Sequence, residues 1–212
     1  MSAEGTVRVA VTRTTVAHQR KLDVLLTQVR ACTACAAHLP LGPRPVVRAS
    51  VQSRILIVGQ APGLRVHETG IPWNDASGKR LRQWLAVDDA TFYDEARFAI
   101  VPMGLCYPGR GASGDNPPRP ECAPLWMDKV LAHLPHVQLT LLVGQYAQRH
   151  FLAAQRKPSL GETVAAWRDH APRFVALPHP SPRNVAWFKR HPWFDEEILP
   201  MLRERVGAIL TR

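Results

Sequence analysis

The chain has 212 residues, 46% of them hydrophobic, which suits one domain with a full core. Its apolar runs fall short of the roughly 18 residues that a membrane span needs, and its first residues lack the apolar stretch of a secretory signal, so we expect a cytoplasmic protein without a membrane partner. The 27 basic and 17 acidic residues give a net charge of +10, which favours a polyanion such as nucleic acid, although an arginine-rich composition can also reflect a GC-rich genome.

The chain begins with a segment that has no clear pattern and continues with a helical one. Residues 1–14 are expected to form a loose leader, and residues 15–212 a single domain, since no repeat, low-complexity tract or linker divides them. An amphipathic helix is predicted over residues 15–31, because apolar side chains recur there at helical spacing. These side chains are Leu22, Leu25, Leu26 and Val29.

Four short apolar runs predict buried parallel strands. They are RILIVG (54–59), FAIVPMG (98–104), LTLLVG (139–144) and RFVALP (173–178). Further helices are predicted over 77–86, from Ala123 to Leu134, up to about Phe151 and over about 194–210. Strands that alternate with helices indicate an α/β fold with a mostly parallel sheet. Ligands of such sheets bind beyond the carboxyl ends of the strands, so the segments that follow the strands should meet at one edge.

The four cysteines form two pairs, Cys32 with Cys35 and Cys106 with Cys122, and the second pair encloses a 15-residue loop rich in proline and glycine. Four thiolates can close a tetrahedral zinc site or hold an iron–sulfur cluster. Two disulfides are the other interpretation, which is less expected in the cytosol, where cysteines more often serve metals or catalysis. A single metal centre would tie an N-terminal segment to a distant loop.

Two motifs follow the first predicted strand. GQAPG (59–63) is a tight turn that exposes backbone N–H groups. It is not a G-x-G-x-x-G motif, and no glycine-rich loop precedes a Lys-Ser/Thr pair, so no nucleotide cofactor is expected. PWNDASG (72–78) places Trp73, which can stack on a planar ligand, close to Asp75, which can orient a water molecule or act as a base. Asp75 can equally cap the helix that starts near Ser77.

The segment HPSPRN (179–184) is rigid, because its two prolines each fix a φ angle. A histidine held in this way can donate a hydrogen bond to a developing anion with little reorganisation, although a lone histidine in a turn is usually a surface residue. WFKRHPWF (187–194) interleaves basic and aromatic residues, which suits a nucleic-acid backbone. The alternative is that its aromatic residues cover the core. These are Trp187, Phe188, Trp193 and Phe194.

Together these segments resemble the uracil-DNA glycosylase superfamily, over about residues 20–210 of the chain. GQAPG is similar to GQDPY of the common uracil enzymes and to GEAPG of the iron–sulfur branch. HPSPRN is similar to the closing motif HPSP of the common enzymes. PWNDASG is similar to PFTGDASG of the broader-specificity iron–sulfur branch, and the cysteine spacing is similar to that of the branch with a 4Fe-4S cluster.

The resemblance implies a three-layer fold in which helices flank a central, four-stranded, mostly parallel sheet. It implies a monomer that excises bases from damaged DNA and contains a 4Fe-4S cluster. The implied cluster ligands are Cys32, Cys35, Cys106 and Cys122. The cluster would be structural and would order the loop between the last two cysteines against DNA.

The implied reaction begins when the damaged nucleotide flips into a pocket. Trp73 would hold the face of the base, His179 would donate to a carbonyl oxygen of the leaving base, and Asp75 would orient the attacking water. The other implied base contacts are Gln60, Ala61 and Met103. The implied DNA contacts are Arg110 and Arg119 in the cysteine loop, Arg183 in the gap that the flipped base leaves, and Asn184, Lys189 and Arg190 beyond it.

Two departures from the family pattern bear on activity and specificity. Ala61 stands where the common enzymes place a water-activating aspartate, and Gln60 stands where the iron–sulfur branch has a glutamate. Asp75 is then the one carboxylate left for that role in these motifs. Pro102 replaces an asparagine that reads uracil in the narrow iron–sulfur branch. We therefore expect a broader base preference, with uracil first and hypoxanthine or xanthine as further substrates.

Two other functions stay open at this point. One is a catalytically weak DNA-binding relative that recognises damage without cutting it, which the residues Gln60 and Ala61 favour. The other is a structural module that binds zinc through the four cysteines. Asp75 and His179 favour the enzyme, because they supply the two side chains that its chemistry needs.

Overall fold

The computed structural model of the protein describes residues 13–112 and 114–211, so the predicted leader lies outside the described residues as far as position 12. The strands are β1 (Ile55–Val58), β2 (Phe98–Ile100), β3 (Arg110–Gly111), β4 (Gly114–Asp115), β5 (Leu139–Val143) and β6 (Phe174–Leu177). Four of them form a parallel sheet in the order β2–β1–β5–β6, and β3 pairs with β4 in an antiparallel hairpin.

Helices surround the central sheet. They are α1 (Arg13–Arg30), α2 (Leu64–Thr69), α3 (Ala76–Leu85), α4 (Asp89–Phe92), α5 (Cys122–Leu131), α6 (Gln145–Leu152), α7 (Leu160–Ala165), α8 (Trp167–His170), α9 (Val185–Arg190) and α10 (Leu199–Leu210). None of the helices in the described ranges has both the length and the apolarity that a crossing of a membrane would require. The predicted α/β fold with a parallel four-stranded sheet is therefore confirmed.

The core forms where the predicted apolar runs meet. Strands β1 and β5 lie at the centre of the sheet and are buried at every position, which is why their sequences are apolar, apart from Thr140, rather than alternating. Helix α1 packs on this core through Leu22, Leu26 and Val29, each at most 2% exposed, with Leu25 partly buried beside them. The predicted amphipathic face of this helix is confirmed.

Several short elements were not predicted from the sequence. Helices α2, α4, α7, α8 and α9 are each six residues long or shorter, so none completes two turns of apolar periodicity. Local caps begin some of them: Asp88 caps α4, and Ser159 forms a capping box with Glu162 at α7. The predicted final helix over 194–210 begins with a π-helical turn, Phe194–Ile198, which leads into α10.

Candidate active site

A cavity of about 350 Å³ opens at the carboxyl ends of the central strands. Residues of GQAPG after β1, of the cysteine loop after β2 and of HPSPRN after β6 all line it, so the prediction that these three segments meet at one edge is confirmed. The lining residues that bear on binding or catalysis are Ala61, Trp73, Asp75, Asp115, His179 and Arg183. A cavity of this size lies within the range of small-molecule sites.

Trp73 forms one wall of the cavity and stands in a tight slot between two glycines. Its backbone has a φ of 55°, in the left-handed region that side chains of this size rarely adopt. A Cβ atom at Gly59 would lie 2.9 Å from Cζ2 of the indole, and one at Gly78 would lie 1.7 Å from the Trp73 carbonyl oxygen. The absence of a side chain therefore makes room for the indole at Gly59 and for the backbone turn of Trp73 at Gly78. The centroid of the indole lies 5.7 Å from that of the His179 imidazole.

Asp75 both caps helix α3 and lines the cavity. Its Oδ1 accepts the Gly78 backbone N–H at 2.8 Å, so the capping role predicted from the sequence is confirmed. The cap begins α3 directly after the Trp73 turn, and Arg82 of the same helix donates to the Trp73 carbonyl oxygen at 3.2 Å. One carboxylate oxygen therefore serves the helix, and the residue still reaches the cavity.

His179 directly follows the strand β6 and Pro178, and a network of hydrogen bonds holds its segment. The Asn184 side-chain amide donates to the His179 carbonyl oxygen at 2.7 Å, and Arg80 of helix α3 donates to the Ser181 carbonyl oxygen at 3.1 Å. Burial lowers the pKa of His179, and the nearby Asp75 carboxylate opposes this shift without cancelling it. The imidazole is therefore neutral at neutral pH and has one N–H to donate to an anion in the cavity.

Two of the predicted base contacts point elsewhere in the structure. The Gln60 amide donates to the carbonyl oxygen of Asn116 at 3.1 Å and so binds the GQAPG turn to the cysteine loop. The Met103 side chain is 8% exposed and packs in the core, while Pro102 and Ile100 line the cavity at the end of β2. Among the described residues that line the cavity, neither Gln60 nor Met103 appears.

Asp115 is a cavity residue that sequence reasoning missed. It belongs to β4, in the hairpin of the cysteine loop, and its carboxylate lies beside Gly63, the residue that precedes helix α2. Burial raises the pKa of its carboxyl group, Asp75 adds to the rise, and the guanidinium groups of Arg183 and Arg110 oppose it. The sequence feature that could have pointed to Asp115 is a carboxylate next to a glycine, in a loop that the family resemblance places against DNA.

The predicted DNA contacts fall into two groups. Arg110, Arg183, Lys189 and Arg190 are exposed. Arg119 instead donates to the Glu121 carboxylate, with Nη2 and Oε1 2.6 Å apart, and Asn184 supports His179 as described above.

The aromatic residues of WFKRHPWF pack on the core, as the structural interpretation of this segment predicted. Phe194 is fully buried, and the other aromatic rings of the segment are partly buried against the core. Trp187 also stacks on His191, with the ring centroids 4.2 Å apart. The exposed charged residues of this segment are therefore Lys189 and Arg190.

The four cysteines line one small cavity beneath the cysteine loop, and all four are free thiols. The Trp126 indole N–H donates to Cys32 Sγ at 3.2 Å, and the Leu105 backbone N–H donates to Cys122 Sγ at 3.3 Å. Burial raises the pKa of Cys122 to about 11. Within the described ranges, no group of three or more His, Cys, Asp or Glu side chains is arranged to hold a metal ion.

Comparison with known proteins agrees with this geometry. The family model described as "Uracil DNA glycosylase superfamily" matches residues 47–203, which include every strand and all the cavity segments after β1, β2 and β6. That family acts on DNA, and its members are typically glycosylases. Because the match covers most of the chain, this protein belongs to the uracil-DNA glycosylase superfamily.

Proposed function

We propose that the protein is a monofunctional DNA glycosylase that flips a deaminated base out of DNA and hydrolyses its N-glycosidic bond. The observation that carries this proposal is the contact between Trp73 and His179 in one cavity, with 5.7 Å between their ring centroids, and Asp75 among the residues that line the same cavity. An indole, a neutral imidazole and a carboxylate are the three groups that the reaction needs. We expect a monomer that acts on DNA in the cytoplasm.

The reaction separates charge, and the cavity offers partners for both charges. The flipped base stacks on Trp73, and its glycosidic bond breaks toward a sugar oxocarbenium ion and a base anion. His179 donates its N–H to a carbonyl oxygen of that anion, and the Asp75 carboxylate faces the cation and orients the attacking water. Arg183, at the cavity mouth, enters the gap in the duplex.

The end of β2 bears on base preference. Pro102 lines the cavity there and has neither a side-chain donor nor an acceptor. A site that hydrogen-bonds one edge of its substrate rejects analogues strongly, whereas a site without that group discriminates weakly. We therefore propose uracil as the main substrate and hypoxanthine and xanthine as further substrates.

The cysteine cavity fits a 4Fe-4S cluster by its donor set. Four cysteines line it, and thiolates are the usual ligands of such clusters. The Glu121 carboxylate lies 3.8 Å from Cys35 Sγ. Two N–H groups already donate to sulfur atoms there. Cys32, Cys35, Cys106 and Cys122 would hold the cluster, which would tie the end of α1 to the cysteine loop.

The cluster proposal predicts the colour and metal content of the purified protein. Protein prepared without oxygen should be brown and contain iron and acid-labile sulfide in equal amounts. Cys35→Ser should lose both, whereas Ala34→Ser, an exposed change in the same motif, should keep both. A colourless anaerobic preparation that contains stoichiometric zinc would replace this proposal with the zinc module.

A DNA duplex with a single uracil tests the enzyme itself. Incubation with excess protein followed by alkali should break the strand at the uracil, and parallel duplexes with hypoxanthine and xanthine should give the order of preference. Specific binding to these duplexes without any strand break would favour the catalytically weak relative, for which the absence of a carboxylate at Gln60 and Ala61 is the supporting observation.

Variants of Asp75 should separate its two roles. Asparagine caps helices about as well as aspartate but carries no negative charge to face the sugar cation, so Asp75→Asn should keep the free energy of unfolding within about 0.5 kcal/mol while slowing cleavage. Asp75→Ala should also lower the free energy of unfolding by about 1 kcal/mol. The measurements are urea unfolding and single-turnover cleavage.

The matched control is Asp88, whose Oδ1 caps α4 in the same way by accepting the Thr91 N–H at 2.8 Å. Asp88→Ala should cost similar stability and leave cleavage unchanged. Full cleavage activity in Asp75→Asn would limit Asp75 to its capping role.

A further inference from the structure

We propose that Asp115 is the catalytic carboxylate that takes the proton from the attacking water, so that the site contains two functional carboxylates rather than one. The inference rests on the proposed glycosylase function and deepens it. Asp75 then orients the water and faces the sugar cation, and Asp115 completes the hydrolysis.

The position of Asp115 is fixed by contacts between segments distant in sequence. Asn116, the next residue, donates its side-chain amide to the Pro108 carbonyl oxygen at 3.2 Å, and its own carbonyl oxygen accepts the Gln60 amide. On the other side, a Cβ atom at Gly114 would lie 2.8 Å from Nη1 of Arg183. The hairpin is thereby held over the cavity between the GQAPG turn and the HPSPRN segment.

Asp115 lies at the level of the cavity where the sugar of a flipped nucleotide would be, not at the level of its base. The cavity floor contains Ile100, which is 2% exposed, whereas Asp115 and Arg183 are exposed at its mouth. A flipped nucleotide remains attached to the DNA backbone, so its base goes deepest and its sugar stays at the mouth. A water molecule that attacks C1′ therefore lies nearer to Asp115 than to the floor.

The Asp115 carboxylate is also available for the reaction. One oxygen of Asp75 accepts the Gly78 N–H, whereas within residues 13–112 and 114–211 no donor forms a hydrogen bond with the carboxylate of Asp115. A carboxylate Oδ2 atom of Asp115 lies 3.5 Å from where a Cβ of Gly63 would stand, so the side chain extends toward the start of α2 on the opposite wall.

The charges around Asp115 favour a proton acceptor. Partial burial of the carboxyl group raises the pKa of Asp115 most strongly, although the residue as a whole is exposed, and Asp75 adds to the rise, whereas Arg183 across the mouth and Arg110 in the same hairpin lower this pKa. Tyr107 is the other titratable neighbour, and Asp115 contributes to the raised pKa of its phenol. The net pKa of Asp115 is raised, which brings a carboxylate closer to the value at which a general base works best.

The proposed step balances as a hydrolysis. The C1′–N bond breaks, and its electron pair leaves with the base as an anion that accepts the hydrogen bond of His179. The water oxygen forms a bond to C1′ while one O–H bond of the water breaks. That proton moves to the Asp115 carboxylate, which returns it to solvent, and the base anion is protonated from solvent after release.

Asp115→Asn should lower the single-turnover rate of uracil excision by about 10²–10⁴-fold, the usual contribution of a general base. Affinity for a duplex with a non-cleavable nucleotide should change less than about twofold, because the side chain keeps its size. The wild-type rate should fall as pH drops through the raised pKa of Asp115, since the carboxyl group then gains a proton, and the variant should lack this acidic limb.

Azide supplies an independent readout because it attacks C1′ without losing a proton. In Asp115→Ala, azide should restore cleavage and give the glycosyl azide as product. The matched control is Asp128→Asn, an exposed aspartate on α5 outside the cavity, which should keep the wild-type rate and pH profile.

The outcomes separate this inference from the proposed function. Wild-type cleavage together with a normal rate in Asp115→Asn would overturn the role of Asp115 and leave the glycosylase intact. A slow variant that keeps the acidic limb and does not respond to azide would also overturn it, because that pattern belongs to a structural partner of Arg183. If the wild type cuts none of the three duplexes, both proposals fall.

Discussion

His179→Ala should lower single-turnover excision by about 10²–10³-fold, because removal of one preorganised donor to a developing anion has an effect of that size. The affinity for DNA should stay nearly unchanged, since His179 lies inside the cavity, whereas the exposed basic residues expected to contact DNA are other side chains. Its segment should also keep its shape, because Asn184 bonds the backbone carbonyl of residue 179 and not the imidazole.

The measurement is cleavage of a uracil duplex with enzyme in excess, together with binding of a non-cleavable duplex. His136→Ala provides the control, because His136 is exposed and precedes β5 at the amino end of the strands, opposite to the cavity. A rate for His179→Ala within about twofold of wild type would exclude the imidazole from the reaction.

Gly78→Ala should destabilise the protein by about 1–3 kcal/mol or more, although alanine normally stabilises a helix relative to glycine. The reason is steric: the added Cβ would lie 1.7 Å from the Trp73 carbonyl oxygen, a backbone atom that cannot move without its turn. Displacement of this turn moves the indole, so excision should also slow. Urea unfolding measures the first effect and single-turnover cleavage the second.

Gly207→Ala is the matched control in helix α10. Within the described residues, no atom beyond its chain neighbours and the backbone of its own helix lies within 4 Å of the position its Cβ would take. This change should therefore raise the free energy of unfolding by up to about 1 kcal/mol and leave excision unchanged. We therefore expect the two glycine-to-alanine changes, both within helices, to shift the free energy of unfolding in opposite directions. Equal stabilisation by both changes would contradict the slot described for Trp73.

The sheet and most of the site could be predicted from sequence because the relevant signals are local. Each central strand is a short, mostly apolar run, and the parallel order follows from the helices between the runs. Trp73, Asp75 and His179 were found because each lies in a motif with few alternatives, and parallel strands bring such motifs to one edge.

The remaining parts of the site depend on contacts that no local pattern records. Asp115 reaches the cavity because the Gln60 side chain bonds Asn116, 56 residues away in sequence. Met103 lies in a predicted strand end, and only the packing of the core decides that its side chain turns inward while Pro102 lines the cavity. The amide of Asn184 was expected to meet DNA, and it supports the His179 backbone instead.

The close contact between Gly59 and the Trp73 indole has a consequence for how this pocket can change. The Trp73 ring packs against the backbone of Gly59. The width of the pocket on this side is therefore set by backbone atoms, whose position a change of side-chain rotamer cannot adjust. Substitutions at position 73 can widen the opening for bulkier purines. Any side chain at position 59 would push the ring forward and narrow the opening, so the range of accepted rings depends on these two positions together.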